Sequence, residues 1–176
     1  MNRAHPTLFE VLVKTIVTHT VTYFIMGLLA STILDYARFF SESDLSLMMR
    51  STSDPLVMVG PLFQPLRGIL FGVVFYLLRD SFFNKKNGWL VMWIVLVAVG
   101  ILGTFGPSPG SLEGMIYTVF PLWVHVRGLP EVLLQSFFLS VILFFWVNKR
   151  KRWLDWVMGI AFFVFMAFPV IGLLAT

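Results

Sequence analysis

The sequence predicts an all-α polytopic integral membrane protein. It has five transmembrane helices, read as a lead helix followed by two parallel two-helix repeats. Three observations predict this. Of the 176 residues, 58% are hydrophobic and only 12% are charged, about half the charged share of a soluble domain. Five stretches approach the ~20 apolar residues that a helix needs to cross a bilayer. The cationic side chains gather at alternate ends of those stretches. Together they exclude a water-soluble globule and a disordered chain. The stretches are continuously apolar rather than alternating, which excludes transmembrane strands.

The first span runs from Thr15 to Leu34, inside a helix expected over Leu8 to Phe40. Thr7 followed by Glu10 is a capping box, and Pro6 lies just before it. Glu10 and Lys14 interrupt the onset, so the segment reads as a retained helix rather than a signal peptide. The second span is Leu66 to Phe83, the third Trp89 to Phe105, the fourth Leu129 to Val147 and the fifth Trp153 to Ala175. The whole chain forms one membrane domain: lead helix 1–40, repeat one 51–105, repeat two 111–175.

Charge sets the orientation. With the N-terminus inside, the inner face holds Arg3, Lys14, Arg79, Lys85, Lys86, Lys149, Arg150, Lys151 and Arg152. The outer face holds Arg38, Arg50, Arg67 and Arg127. Glu10, Asp80 and Asp155 are inside, and the other acids outside. The expected location is the inner (cytoplasmic) membrane, with the N-terminus cytoplasmic and the C-terminus outside. The net charge of +4 is therefore a topology signal. The run Lys149–Arg152 can meet anionic lipid; it is too short for a nucleic-acid surface, and no nucleic-acid partner is expected.

The repeat rests on two matches. Pro61-Leu62 with Arg67-Gly68 aligns with Pro121-Leu122 and Arg127-Gly128 at an offset of 60. Asn84-Lys85-Lys86 with Trp89-Leu90 aligns with Asn148-Lys149-Arg150 and Trp153-Leu154 at an offset of 64. The added four residues are about one helical turn, so the fourth span is expected to be longer than the second. Ser53-Asp54-Pro55 and Ser111-Leu112-Glu113 should each cap a short outer helix. Gly68 and Gly72 form a G-x-x-x-G that permits close helix contact, and Pro169 should kink the fifth span.

Polar residues inside the spans carry the functional argument. Thr15, Thr18, His19 and Thr22 share one helical face, expected to look into the protein as a structural polar stripe. Glu10 and Lys14 are an i, i+4 pair. At the outer mouth, Arg67 and Arg127 start descending helices, near Gln64 and His125, with Pro65 and Pro130 in first turns. Helix N-termini plus arginine make a candidate anion site of Arg67, Arg127, Gln64, His125 and Glu131. Internal neutralisation competes with that reading: Glu131 can pair with Arg127, and Arg67 can reach Glu131 or Asp54.

Gly106-Pro107-Ser108-Pro109-Gly110 matches G-x-S-x-G, but a serine between two prolines in a loop is no nucleophile elbow. There is no cysteine, so thiol chemistry is excluded. No metal or cofactor is expected, and no catalytic residue is assigned. The leading expectation is a small non-enzymatic membrane component in contact with lipid, assembling with copies of itself or with other membrane subunits. One alternative is a binder or carrier of an anionic molecule or lipid headgroup through Arg67 and Arg127. Another is an intramembrane enzyme or cofactor protein centred on His19 or His125.

Overall fold

The computed structural model describes residues 5–41, 49–149 and 151–174. Arg3, Glu42, Asp44, Arg150 and the tail at Ala175 and Thr176 lie outside the described residues. Every element among the described residues is helical. We number them α1 (Leu8–Ile33), α2 (Tyr36–Ser41), α3 (Pro55–Val59), α4 (Gln64–Leu77), α5 (Arg79–Phe82), α6 (Gly88–Val97), α7 (Leu112–Tyr117), α8 (Leu122–Arg127), α9 (Leu129–Lys149) and α10 (Arg152–Leu174).

Four stretches are long and apolar enough to cross a membrane: Leu8–Ile33, Pro55–Leu77, Leu122–Lys149 and Arg152–Gly172. Gly88–Leu102 is apolar but shorter. It joins α6 to a π turn, Ala98–Leu102, closed by Gly103 N–H donating to the Ala98 carbonyl at 2.8 Å. A Cβ at Gly103 would lie 2.5 Å from that carbonyl oxygen. The turn therefore forms where a residue without a side chain can tuck under it.

Several boundaries differ from expectation. The lead helix does not run unbroken to Phe40. Leu34 closes α1 onto the Ala30 carbonyl, Asp35 turns left-handed at φ 47°, and α2 restarts. Aspartate is one of the few residues that visit this region readily, and its carbonyl accepts the Phe39 N–H at 2.8 Å. The short outer helix before the second span forms as expected, over Pro55–Val59, but it is continuous with the span. Asp54 caps α3, accepting from Leu56 N–H at 2.8 Å, and α3 passes through a 3-10 turn, Gly60–Phe63, into α4. Pro55, Pro61 and Pro65 each fall in a first turn, where a missing N–H costs nothing. At the far end α4 stops at Leu77, short of the expected Phe83.

The expected caps form at Thr7, which accepts from Glu10 N–H at 3.2 Å, and at Ser111, which accepts from Gly114 N–H at 2.9 Å.

The lead helix is the hub. It packs on α4, α9 and α10, while α6 packs on α9. The glycine pair explains the closest of these contacts. A Cβ at Gly68 would meet the Ile16 Cα at 2.6 Å, and one at Gly72 the Leu12 Cα at 3.1 Å. The G-x-x-x-G thus faces α1, and the two backbones touch through it.

Ends that meet show that the long helices alternate in direction. Val11, Phe75, Phe82, Phe83, Met92, Leu143, Phe144 and Val147 share one cluster. It gathers the start of α1, the end of α4, the start of α6 and the end of α9. Near it, Lys14 pairs with Glu10 at 2.9 Å and donates to the Trp146 carbonyl at 3.2 Å. The Trp146 indole N–H donates to Asp155 at 2.6 Å. The Asn84 N–H donates to the Asn148 side chain at 3.1 Å, tying the two basic turns together.

Candidate functional site

The other end of the bundle holds a cavity of about 430 Å³. Its walls come from α1 (His19, Tyr23), α4 (Arg67, Leu70, Phe71), α6 and the π turn (Leu96, Gly100, Ile101), the 106–110 loop (Ser108, Pro109) and α9 (Glu131, Val132, Gln135, Ser136, Leu139). Its size falls within the usual range for small-molecule pockets.

Of the periodic stripe on α1, His19 reaches the cavity wall and the threonines lie behind it. Thr15, Thr18, His19 and Thr22 are all buried. Thr22 donates to the Thr18 and His19 carbonyls at 2.8 and 3.1 Å. The Thr15 and Thr18 hydroxyls are buried without a hydrogen-bond partner. His19 is 1% exposed, and its Nε2 meets Gln64 Oε1 at 3.2 Å. Its ring packs edge-on against Phe71, with centroids 5.0 Å apart. His19 Nδ1 is buried with no hydrogen-bond partner among the described residues. Because the Gln64 amide oxygen accepts from Nε2–H, Nδ1 is left as an acceptor.

Arg67 faces it from α4. It is exposed at the cavity mouth, its guanidinium 5.6 Å from the Phe71 ring centroid. No ion pair involving Arg67 occurs among the described residues. Neither of its expected carboxylate partners engages it. Asp54 pairs with Arg50 at 2.9 Å, a contact that, with the Leu56 N–H bond, holds its carboxyl below the ordinary range. Glu131 accepts instead from the Tyr36 hydroxyl. Burial, reinforced by that bond, raises the Tyr36 phenol above its usual range, so Tyr36 stays a neutral donor throughout physiological pH.

Arg127 and His125 do other work. Arg127 closes α8 rather than opening a helix. It donates to the Leu34 carbonyl at 2.6 Å and lies 4.4 Å from the Phe39 ring centroid. It therefore fastens α2 across the end of α1, and the expected pair with Glu131 is absent. His125 is 2% exposed; its Nδ1 accepts the Gly110 N–H at 3.2 Å, and its Nε2 lies 3.5 Å from the Thr118 hydroxyl. Gly110 has φ +87°, so His125 pins a turn that glycine suits best. That turn carries Ser108 and Pro109 to the cavity.

The structure thus brings together His19, Gln64, Arg67 and Glu131 and leaves Arg127 and His125 behind the walls. Arg67 is not a helix-terminal residue, because α3 and the 3-10 turn precede α4. Sequence reasoning missed Tyr23, Gln135 and Ser136. Tyr23 lies four residues after His19, and Gln135 four after Glu131, so both polar faces carried an extra i, i+4 member. Among the described residues no cluster of three His, Asp or Glu is placed to hold a metal. Comparison with protein-family models, curated proteins and solved structures gave no match.

Proposed function

We propose that this chain is an integral membrane protein that binds an anionic molecule or headgroup in the cavity, with Arg67 as the cationic contact. One observation carries the reading. A guanidinium sits within a long apolar helix, lines a cavity and has no carboxylate partner among the described residues. A charge placed in a membrane segment is costly unless something compensates it, which makes it a functional marker by default. An assembly role has only the exposed apolar surface in its favour, and lipid contact accounts for that surface equally well.

The finer architecture belongs to the same reading. Gly88–Leu102 acts as a fifth, short span, with the π turn and the following loop completing its crossing. Two features favour the parallel repeat. Asn84 and Asn148, equivalent at the offset of 64, touch each other. Also, α6 of the first unit packs on α9 of the second, while α10 packs on α3 and the 3-10 turn of the first. Charge favours a cytoplasmic N-terminus. Because the chain has no cysteine, single introduced thiols report sidedness cleanly. Ser53→Cys should react with an impermeant maleimide in intact cells, and Lys85→Cys only after permeabilisation. The reverse pattern inverts the orientation.

The binding reading is tested with the full-length protein in detergent, titrated with inorganic phosphate, glycerol 3-phosphate and phosphatidylglycerol. A charge-assisted hydrogen bond contributes about 1.5–3 kcal/mol, so Arg67→Gln should weaken at least one probe by roughly tenfold or more. The variant should remain monodisperse, because Arg67 is exposed and makes no side-chain hydrogen bond or ion pair among the described residues. Equal affinities in both proteins for every probe would remove the proposal.

A further inference from the structure

We propose that the occupant of the cavity is the head of a bilayer phospholipid bearing N–H or O–H donors beside its phosphate, with the acyl chains leaving between α4 and α6. This rests on the anion-binding reading above and names its ligand class.

The cavity has two chemically different walls. Arg67 marks one, suited to a phosphate. Glu131, Gln135 and Ser136 lie on the other. One Glu131 oxygen takes the Tyr36 hydroxyl, and the carboxyl group keeps further acceptor capacity. A bare anion would be repelled there. A head that carries an ammonium or hydroxyls next to its phosphate satisfies both walls at once.

The shape of the site selects a lipid over a water-soluble solute. At the end away from the cavity, α4 and α6 converge through Phe75, Phe82 and Met92. At cavity level Arg67 and Leu70 face Gly100 and Ile101 across open volume. The cleft lips are apolar and bare: Leu70 is 67% and Val99 59% exposed. A Cβ at Gly100 would meet nothing within 4 Å, so the π turn leaves the gap unfilled. The end of the bundle beyond Glu131 is covered instead. Tyr36 ties α2 to Glu131, Arg127 ties it to α1, and His125 pins the 106–110 loop beside the cavity. Access from the flank is access from the hydrocarbon. A polar head drawn in there leaves its chains in the solvent they prefer.

The test uses the full-length protein, delipidated in detergent and titrated by native mass spectrometry. The probes are phosphatidylethanolamine, phosphatidylglycerol, phosphatidylcholine with the same chains, phosphoethanolamine and glycerol 3-phosphate. The first two lipids should bind. Phosphatidylcholine, which has no donor in its head, should bind about tenfold more weakly. The two chain-free heads should also bind at least about tenfold more weakly than their lipids. Val99→Trp, at an exposed position on the lip outside the cavity lining, should cut lipid binding about tenfold and leave the chain-free heads unchanged. Glu131→Gln should bring phosphatidylcholine level with phosphatidylethanolamine. If phosphatidylcholine matches phosphatidylethanolamine in the unaltered protein, the donor requirement is wrong. If chain-free heads bind as tightly as lipids and Val99→Trp changes nothing, the ligand is a soluble anion; the lipid assignment falls while the anion reading stands. If no probe depends on Arg67, both fall.

Discussion

Gly68→Ala is expected to destabilise the fold by about 1–3 kcal/mol, the usual cost of overpacking a tight contact. The added methyl would lie 2.6 Å from the Ile16 Cα and 3.3 Å from its Cβ. A backbone atom cannot rotate away, so α1 and α4 must separate. Gly72→Ala should cost less, because its nearest obstacle is the mobile end of Leu12, at 2.9 Å. Gly159→Ala and Gly172→Ala on α10 meet nothing within 4 Å and should be neutral or slightly stabilising through helix propensity. Thermal unfolding of the four variants in one detergent gives the ranking. Gly68→Ala should also weaken probe binding, because Arg67 and His19 sit on the two helices being forced apart. If Gly68→Ala melts with Gly159→Ala, then α1 and α4 do not pack through this pair.

The lead helix, its cap, its buried stripe and the Glu10–Lys14 pair were legible in the sequence, because each depends on short-range spacing. The 3.6-residue period alone places Thr15, Thr18, His19 and Thr22 on one face, and burying that face needs no knowledge of its partners. Pairings across helices were not legible. Arg127 and Glu131 are four residues apart on a nominal helix, yet Gly128 separates α8 from α9 and the two side chains turn to different neighbours. Arg127 finds the carbonyl freed at Leu34 by the left-handed Asp35, and no local pattern announces that break. Tyr36 could claim Glu131 only once α2 had folded back. The Pro-rich approach to the second span forms the short helix expected of it, but its prolines fall in first turns and let α3 run on into α4. That extension moved Arg67 from a helix start to a helix interior. It thereby changed the anion argument from one of helix dipoles to one of an exposed cation at the cavity mouth with no ion pair among the described residues.

Gly88→Ala should be more damaging still. Its Cβ would lie 1.7 Å from the Phe82 carbonyl oxygen and 2.6 Å from the Phe82 carbonyl carbon, with the Phe144 ring at 3.1 Å. Relief would require the 82–88 turn to open. Phe82 and Phe83 resist, each only 1% exposed within the aromatic cluster. Asn84 already holds a left-handed φ of 63°, and the Gly88 N–H is bonded to the Lys85 carbonyl at 3.3 Å. The turn therefore has little slack, and the strain passes to α6, which starts at this residue. Losses above about 3 kcal/mol come from a few mechanisms, overpacking of a rigid core among them, and the expected result is little monodisperse protein after extraction. Gly60→Ala, with open space around it, should extract normally and serves as the control. Any surviving Gly88→Ala protein should bind phosphatidylethanolamine poorly, since displacing α6 moves Gly100 and Ile101, the far wall of the cavity. A Gly88→Ala protein with unchanged yield and melting temperature would mean that the chain does not turn so tightly between α5 and α6. The cleft geometry that depends on this turn would then have to be redrawn.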